Sequence, residues 1–246
     1  MAGAGRGRPG PAVRAGRAMS DAVEALAFTP DAVIFDMDGL MLDSERASLR
    51  SWSRAARELG VEIEDEHWLR LVGHSADACQ AILRERLAPA QVQALLARAH
   101  ALYHQQVQAG VPLRPGIGEL LQLLQAHGVP CGVATSTHRP LAPRKLEMAG
   151  LLGYFKAITT GNDVAHPKPA PDIYLLAAQR MGVPVARCLA LEDSPAGVSA
   201  ALAAGMTVIQ VPDLVVPDEG LRARGHRIVA SLHHARELLQ ARLRAG

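Results

Sequence analysis

The sequence predicts an α/β protein: a parallel sheet with helices on both faces, interrupted by an inserted all-helical domain. Three observations predict this. From Leu113 to the C-terminus, short apolar runs alternate with helical patterns, the mark of right-handed βαβ units. One more apolar run, Asp31-Ala-Val-Ile-Phe-Asp36, lies far upstream and ends abruptly in acids. Between the two, every pattern is helical and no strand intervenes. The expected division is a tail over residues 1–27, a core over 28–43 and 114–246, and a helical cap over 44–113.

Residues 1–27 mix Gly, Pro, Ala and Arg without periodicity and carry too little apolar surface to offset the entropy of ordering, so a disordered tail is expected. The segment is Arg-rich and acid-poor; an organelle transit peptide and a non-native start upstream of Met19 are both open readings, and it lacks the apolar stretch of a secretory signal. The first strand ends at Asp36-Met-Asp38-Gly39-Leu40. Asp43-Ser44-Glu45 then offers a cap for a helix to about Leu59, and Gly60 closes it. Helical patterns follow at Asp65–Val72, Ser75–Leu87 and Pro89–Ala109, with Pro89 where a first-turn proline is tolerated. Pro115-Gly116 opens a helix to about His127, and Val129–Thr135 is the second strand. Helix Pro140–Ala149, strand Phe155–Thr160, helix Asp172–Met181, strand Arg187–Leu191, helix Ala196–Ala204 and strand Met206–Val211 continue the alternation. A strand at His226–Ala230 and a helix from about Leu232 complete it.

Composition narrows the class. Hydrophobic residues make up 49% and aromatics 3%, so the core of this globular chain is aliphatic. The net charge of +2 belongs to Arg6, Arg8, Arg14 and Arg17; beyond them arginines are interleaved with acids, which excludes a nucleic-acid-binding face. No apolar run approaches the ~18–20 residues that cross a bilayer, so no membrane partner is expected. Cys79, Cys131 and Cys188 are odd in number and lack C-x-x-C spacing, which argues against disulfides or zinc and for a reducing, cytoplasmic compartment with buried thiols. Lysine occurs only at Lys145, Lys156 and Lys168, so each one draws attention.

Asp36 and Asp38, at i and i+2 on an extended strand, point to the same side and repel unless a cation or shared proton lies between them. In an open parallel sheet ligands sit beyond the carboxyl ends of the strands. There the sequence also places Thr135 and Ser136, Lys168, and Glu192-Asp193-Ser194. Each has a plainer reading alone: a strand-end hydroxyl, a solvated loop cation, a helix N-terminus. Together they suit phosphoryl transfer. Asp36 would attack phosphorus, and Asp38 would act as general acid and then as base. Asp193 would join Asp36 and the Asp38 backbone carbonyl in a Mg2+ site, with Glu192 supporting metal and lysine from behind. Thr135, Ser136, Lys168 and the amides of Gly39 and Leu40 would hold the phosphate oxygens.

D-M-D-G-L at 36–40, Thr135, Lys168 in K-P-A-P-D and L-E-D-S at 191–194 resemble the four motifs of the haloacid dehalogenase (HAD) superfamily, within it the β-phosphoglucomutase-like capped phosphatases. The resemblance runs from about Asp31 to Leu239. It implies a Rossmann-like core, Mg2+, an aspartyl-phosphate intermediate and a cap that closes over a small phosphorylated metabolite. Asp38 sets the chain apart from P-type ATPases, which carry threonine there. The lack of any lysine between Ser44 and Arg114 sets it apart from phosphonatases, which need one in the cap. The mutases resemble it too, but a cap segment like G-V-S-R gives them an arginine where Gly73-His74-Ser75-Ala76 has alanine. The expectation is therefore a magnesium-dependent phosphatase for a sugar phosphate or nucleotide-like monoester, acting as a monomer. The alternatives are a phosphosugar mutase and a catalytically silent metabolite-binding regulator. His74, Arg46 and Arg50 are candidate cap contacts, although Arg46, Arg50 and Arg54 at helical spacing also fit a solvated face.

Overall fold

Four apolar residues, Ala32–Phe35, form β1 at the middle of the sheet in the computed structural model, which describes residues 26–64, 67–68, 70–71 and 76–244. The other strands are β2 (Cys131–Ala134), β3 (Phe155–Thr159), β4 (Cys188–Glu192), β5 (Thr207–Gln210) and β6 (Arg227–Ile228). All pair in parallel in the order β3-β2-β1-β4-β5-β6. This is the Rossmann-like, open parallel arrangement that the alternating sequence pattern predicts. β1, β2 and β4 are buried along their whole length, which is why they read as continuous apolar runs rather than alternating ones.

The described helices are α1 (Ser44–Glu58), α2 (Ala76–Arg84), α3 (Pro89–Ala109), α4 (Ile117–Ala126), α5 (Leu141–Met148), α6 (Asp172–Met181), α7 (Pro195–Ala203), α8 (Glu219–Arg222) and α9 (Leu232–Arg244). Side chains alternate along a strand, so successive residues of β1 feed two layers. Val33 and Phe35 pack with Leu120 and Leu124 of α4 and Leu238 and Leu239 of α9. Ala32 and Ile34 face the other way, with Tyr174 and Ala177 of α6 and Val198 and Ala201 of α7. A third cluster, with Trp52, Ala55, Leu83, Val92, Leu95 and Leu102, is built by α1, α2 and α3.

The two segments joining these helices to the sheet run side by side. Asp43 N–H donates to Pro112 O (2.8 Å), Arg114 N–H donates to Met41 O (2.9 Å), and Leu42 and Leu113 form an antiparallel bridge. Asp213, just past β5, adds a clasp: its buried carboxylate pairs with Arg46 and with Arg114, each at 2.7 Å.

Two local expectations give way to other chemistry. The Asp43 side chain makes no cap bond to α1 and instead accepts from Arg46 (2.9 Å), while the Ser44 hydroxyl turns to Asp38. α8 has no counterpart in the sequence pattern; it rests on Asp218, whose carboxylate accepts from Leu221 N–H (2.7 Å). Residues 1–25 of the expected tail over 1–27, half of the expected helix at Asp65–Val72, and His74 fall outside the described residues, while Leu26 is buried in the core rather than part of a tail. No helix is long and apolar enough to cross a membrane among the described residues.

Candidate active site

The sheet order reverses at β1, with β2 on one side and β4 on the other, so the carboxyl end of β1 opens at the switch point. Asp36 extends the β1 ladder through its N–H to Leu191 O (3.0 Å). Three residues on, Gly39 turns the chain at φ +85°, and a β-carbon there would lie 2.1 Å from Asp193 Oδ2. Only glycine lets that carboxylate sit against the turn. The Gly39 amide does not serve as the expected phosphate donor, because it donates to Leu42 O (2.9 Å) within the turn. The Leu40 side chain belongs to the core.

Lys168 reaches across from the loop after β3. Its Nζ donates to Asp36 Oδ1 (2.6 Å), Glu192 Oε1 (2.6 Å) and Ala134 O (3.0 Å). Glu192 is fully engaged: Oε1 also accepts from Tyr174 Oη (2.7 Å), and Oε2 accepts from the Asp193 and Ser194 amides (3.0 and 3.1 Å) and the Ser194 hydroxyl (3.1 Å). Asp36, Glu192 and Asp193 each offer an oxygen within 4.8 Å of the others. With Glu192 committed, Asp36 and Asp193 are the two carboxylates of this cluster that could hold a metal ion. Burial raises the Asp36 carboxyl above its usual range against the pull of Lys168, and burial plus the charges of Asp36 and Glu192 raises Asp193 well above it. Two buried carboxylates that resist ionising together fit a bound cation, which would favour both anions.

Asp38 lives in a different environment. Ser44 Oγ donates to its Oδ1 (2.6 Å), Thr137 Oγ1 donates to its Oδ2 (2.6 Å), and the Lys145 ammonium forms an ion pair with Oδ1. Burial alone would raise this carboxyl, but Lys145 and the hydroxyls hold it below the usual range. Thr135 Oγ1 lies 3.5 Å from Asp38 Oδ2 and accepts from Thr137 N–H (3.1 Å). Lys145 also donates to Tyr103 Oη (2.7 Å) on α3; burial, then the Asp38 charge, pushes that phenol up to about 12.

A cavity of about 270 Å³ opens over these groups. Asp36, Asp38, Thr135, Ser136, Lys168 and Asp193 line its floor. Glu45, Ser48, Ser51, Trp52, His100 and Tyr103 line the opposite side, and among the described residues no arginine or lysine joins them there. Arg46 and Arg50, expected as substrate contacts, are not among the lining residues. Arg46 is committed to Asp43 and Asp213, and Arg50 is exposed, because α1 buries the face carrying Ala47, Ser51, Trp52 and Ala55. Sequence reasoning missed Ser44, Thr137, Lys145 and Tyr103 as Asp38 neighbours; the scarcity of lysine was the one signal that singled out Lys145.

Comparison with known proteins agrees with this geometry. The Haloacid dehalogenase-like hydrolase family profile matches residues 33–211. The fructose-1-phosphate phosphatase YqaB of Escherichia coli K12 is 34% identical over 185 residues, covering 73% of this chain and 95% of its own. The β-phosphoglucomutase of Bacillus subtilis is 33% identical over 188 residues, covering 73% and 82%. Among solved structures, a HAD family hydrolase from Deinococcus radiodurans with bound phosphate and sodium superposes with a TM-score of 0.72 at 31% identity, covering 87% of this chain and 97% of that one.

Proposed function

The chain belongs to the haloacid dehalogenase-like hydrolases, and on that premise we propose that it is a magnesium-dependent phosphatase for a small hydroxylated phosphomonoester, working in the cytoplasm. The observation that carries this reading is the separation of two neighbouring aspartates into unlike environments. Asp36 sits on Lys168 beside Asp193, whereas Asp38 is ringed by Ser44, Thr137 and Lys145. A cation between Asp36 and Asp193 would favour the ionised carboxylate that a nucleophile must be, and Asp38, hydrogen-bonded outside that cluster, is left for proton transfer.

Asp36 and Asp193, with the Asp38 backbone carbonyl, would hold Mg2+, and bound there it would offset the charge of the transferred group. Lys168 keeps Asp36 oriented and supplies positive charge at the floor. Asp36 Oδ attacks phosphorus, the ester P–O bond breaks, and Asp38, having taken a proton from the monoanionic ester as it bound, gives it to the departing alkoxide. Water then attacks the phosphorus of the aspartyl phosphate, Asp38 takes its proton, and the carboxylate of Asp36 is restored. Thr135 and Ser136 lie on the same floor and support the phosphate oxygens.

The cavity wall facing this floor supports hydrolysis over isomerisation. A bisphosphate intermediate needs a cation for its second phosphate, and among the described residues that side offers Ser48, Ser51 and His100 instead. His100 is favoured in its neutral form by burial and by His104. Hydroxyls and a neutral imidazole suit a sugar or polyol. The test is turnover of p-nitrophenyl phosphate with Mg2+. Asp36→Asn should lower kcat by about a thousandfold or more, and near-normal activity in that variant would overturn the mechanism.

A further inference from the structure

Lys145 has no place in the steps above, yet few side chains are more committed. It projects from α5 with a side-chain exposure of 1%, forming its ion pair with Asp38 and donating to Tyr103 Oη at 2.7 Å. It is not part of the cavity wall. It stands behind Asp38 and cannot act on substrate except through it. Tyr103 comes from α3 in the helical insertion, so one ammonium joins a core carboxylate to a cap hydroxyl. A buried lysine is costly unless its charge and donors are satisfied, and here those partners are Asp38 and the phenol.

With Ser44 and Lys145 on one oxygen and Thr137 on the other, the Asp38 carboxylate has little freedom to rotate. We propose that Lys145 and Tyr103 are positioning residues for the water step: through Asp38 they aim the acceptor that takes the proton from water, and Tyr103 ties that step to a cap seated on the core. In that step the water oxygen bonds to phosphorus and one water proton passes to Asp38. The P–O bond to Asp36 breaks, its electron pair staying with the Asp36 carboxylate. This rests on the phosphatase reading and adds two residues that the motifs do not contain.

p-Nitrophenyl phosphate isolates the water step, because nitrophenolate leaves with little need of a proton donor. Steady-state and rapid-quench kinetics with Mg2+ on the full chain, for Lys145→Met and Tyr103→Phe, test the proposal. The second variant removes a single oxygen and guards against misfolding of the first. The expected result is that kcat falls about 100-fold in Lys145→Met and about tenfold in Tyr103→Phe, while kcat/KM, which reports phosphoryl transfer alone, stays within about threefold. A burst of nitrophenolate approaching one per enzyme should appear, with a phosphoryl mass gain on the quenched protein. Equal loss of kcat and kcat/KM without a burst, or no change in Tyr103→Phe, would overturn the proposal. Wild-type protein inactive toward the ester would overturn the phosphatase reading, and this inference with it.

Discussion

At position 39 a β-carbon would meet Asp193 Oδ2 at 2.1 Å, and at position 197 it would meet Glu192 Oε1 at 1.7 Å. These two glycines keep room for the carboxylates that the site depends on. Gly39→Ala should therefore abolish most magnesium-dependent activity, since the methyl displaces Asp193 and the φ of +85° is strained for alanine; a magnesium titration of turnover checks this. Gly197→Ala should cost about 2–4 kcal/mol in urea unfolding, because Glu192 must move off Lys168 and Tyr174. The three thiols give a further expectation. Burial pushes Cys79 and Cys188 up to about 11 and Cys131 up to about 12, so all three should resist a thiol reagent at pH 8 until the protein unfolds, as absorbance titration would show. At this scale legibility follows distance along the chain. Asp36, Asp38, Lys168, Glu192 and Asp193 can be read because each directly follows a strand or occupies a short motif. Lys145 and Tyr103, 42 residues apart, meet only after two helices have packed, and nothing local to either announces the other.

Helices and strands were more readable than the way their faces are used. The spacing of Arg46, Arg50 and Arg54 describes one stripe of α1 correctly, but a stripe does not say what it faces. Arg46 meets Asp213, 167 residues away, and Arg54 meets Glu58 one turn on. α8, of four residues, is too short to leave a period. The Arg46–Asp213–Arg114 clasp carries its own prediction. Asp213 is buried and Arg46 is 39% exposed, so solvent already screens part of that pairing. Asp213→Asn should lower stability by about 1–2 kcal/mol in chemical denaturation. It should also speed limited proteolysis near residues 110–113, where one connecting segment loses an anchor; unchanged cleavage would show that the backbone pairing suffices.

For the molecule as a whole, the sheet places four separate chain segments at one end, and this is why local motifs read together predicted the fold and the floor of the site. The wall above the floor depends on how helices distant in the chain pack, so substrate contacts were the least readable part. The floor's anionic crowding should be visible in bulk stability. On the proposed reading Mg2+ would bind the folded site alone, so saturating it should raise Tm by about 3–8 °C in differential scanning fluorimetry, and Asp193→Asn should remove most of that rise. A rise that persists in the variant would place the ion elsewhere. The paired connecting segments have a consequence of another kind. Because Asp43 and Pro112 touch through a hydrogen bond, the chain leaves the sheet and returns to it at one point. Whatever is spliced between them closes a loop whose entropy grows only slowly with length. Six strands can thus be inherited unchanged while the inserted module is lengthened, exchanged or lost, and new substrates can be acquired without rebuilding the catalyst beneath.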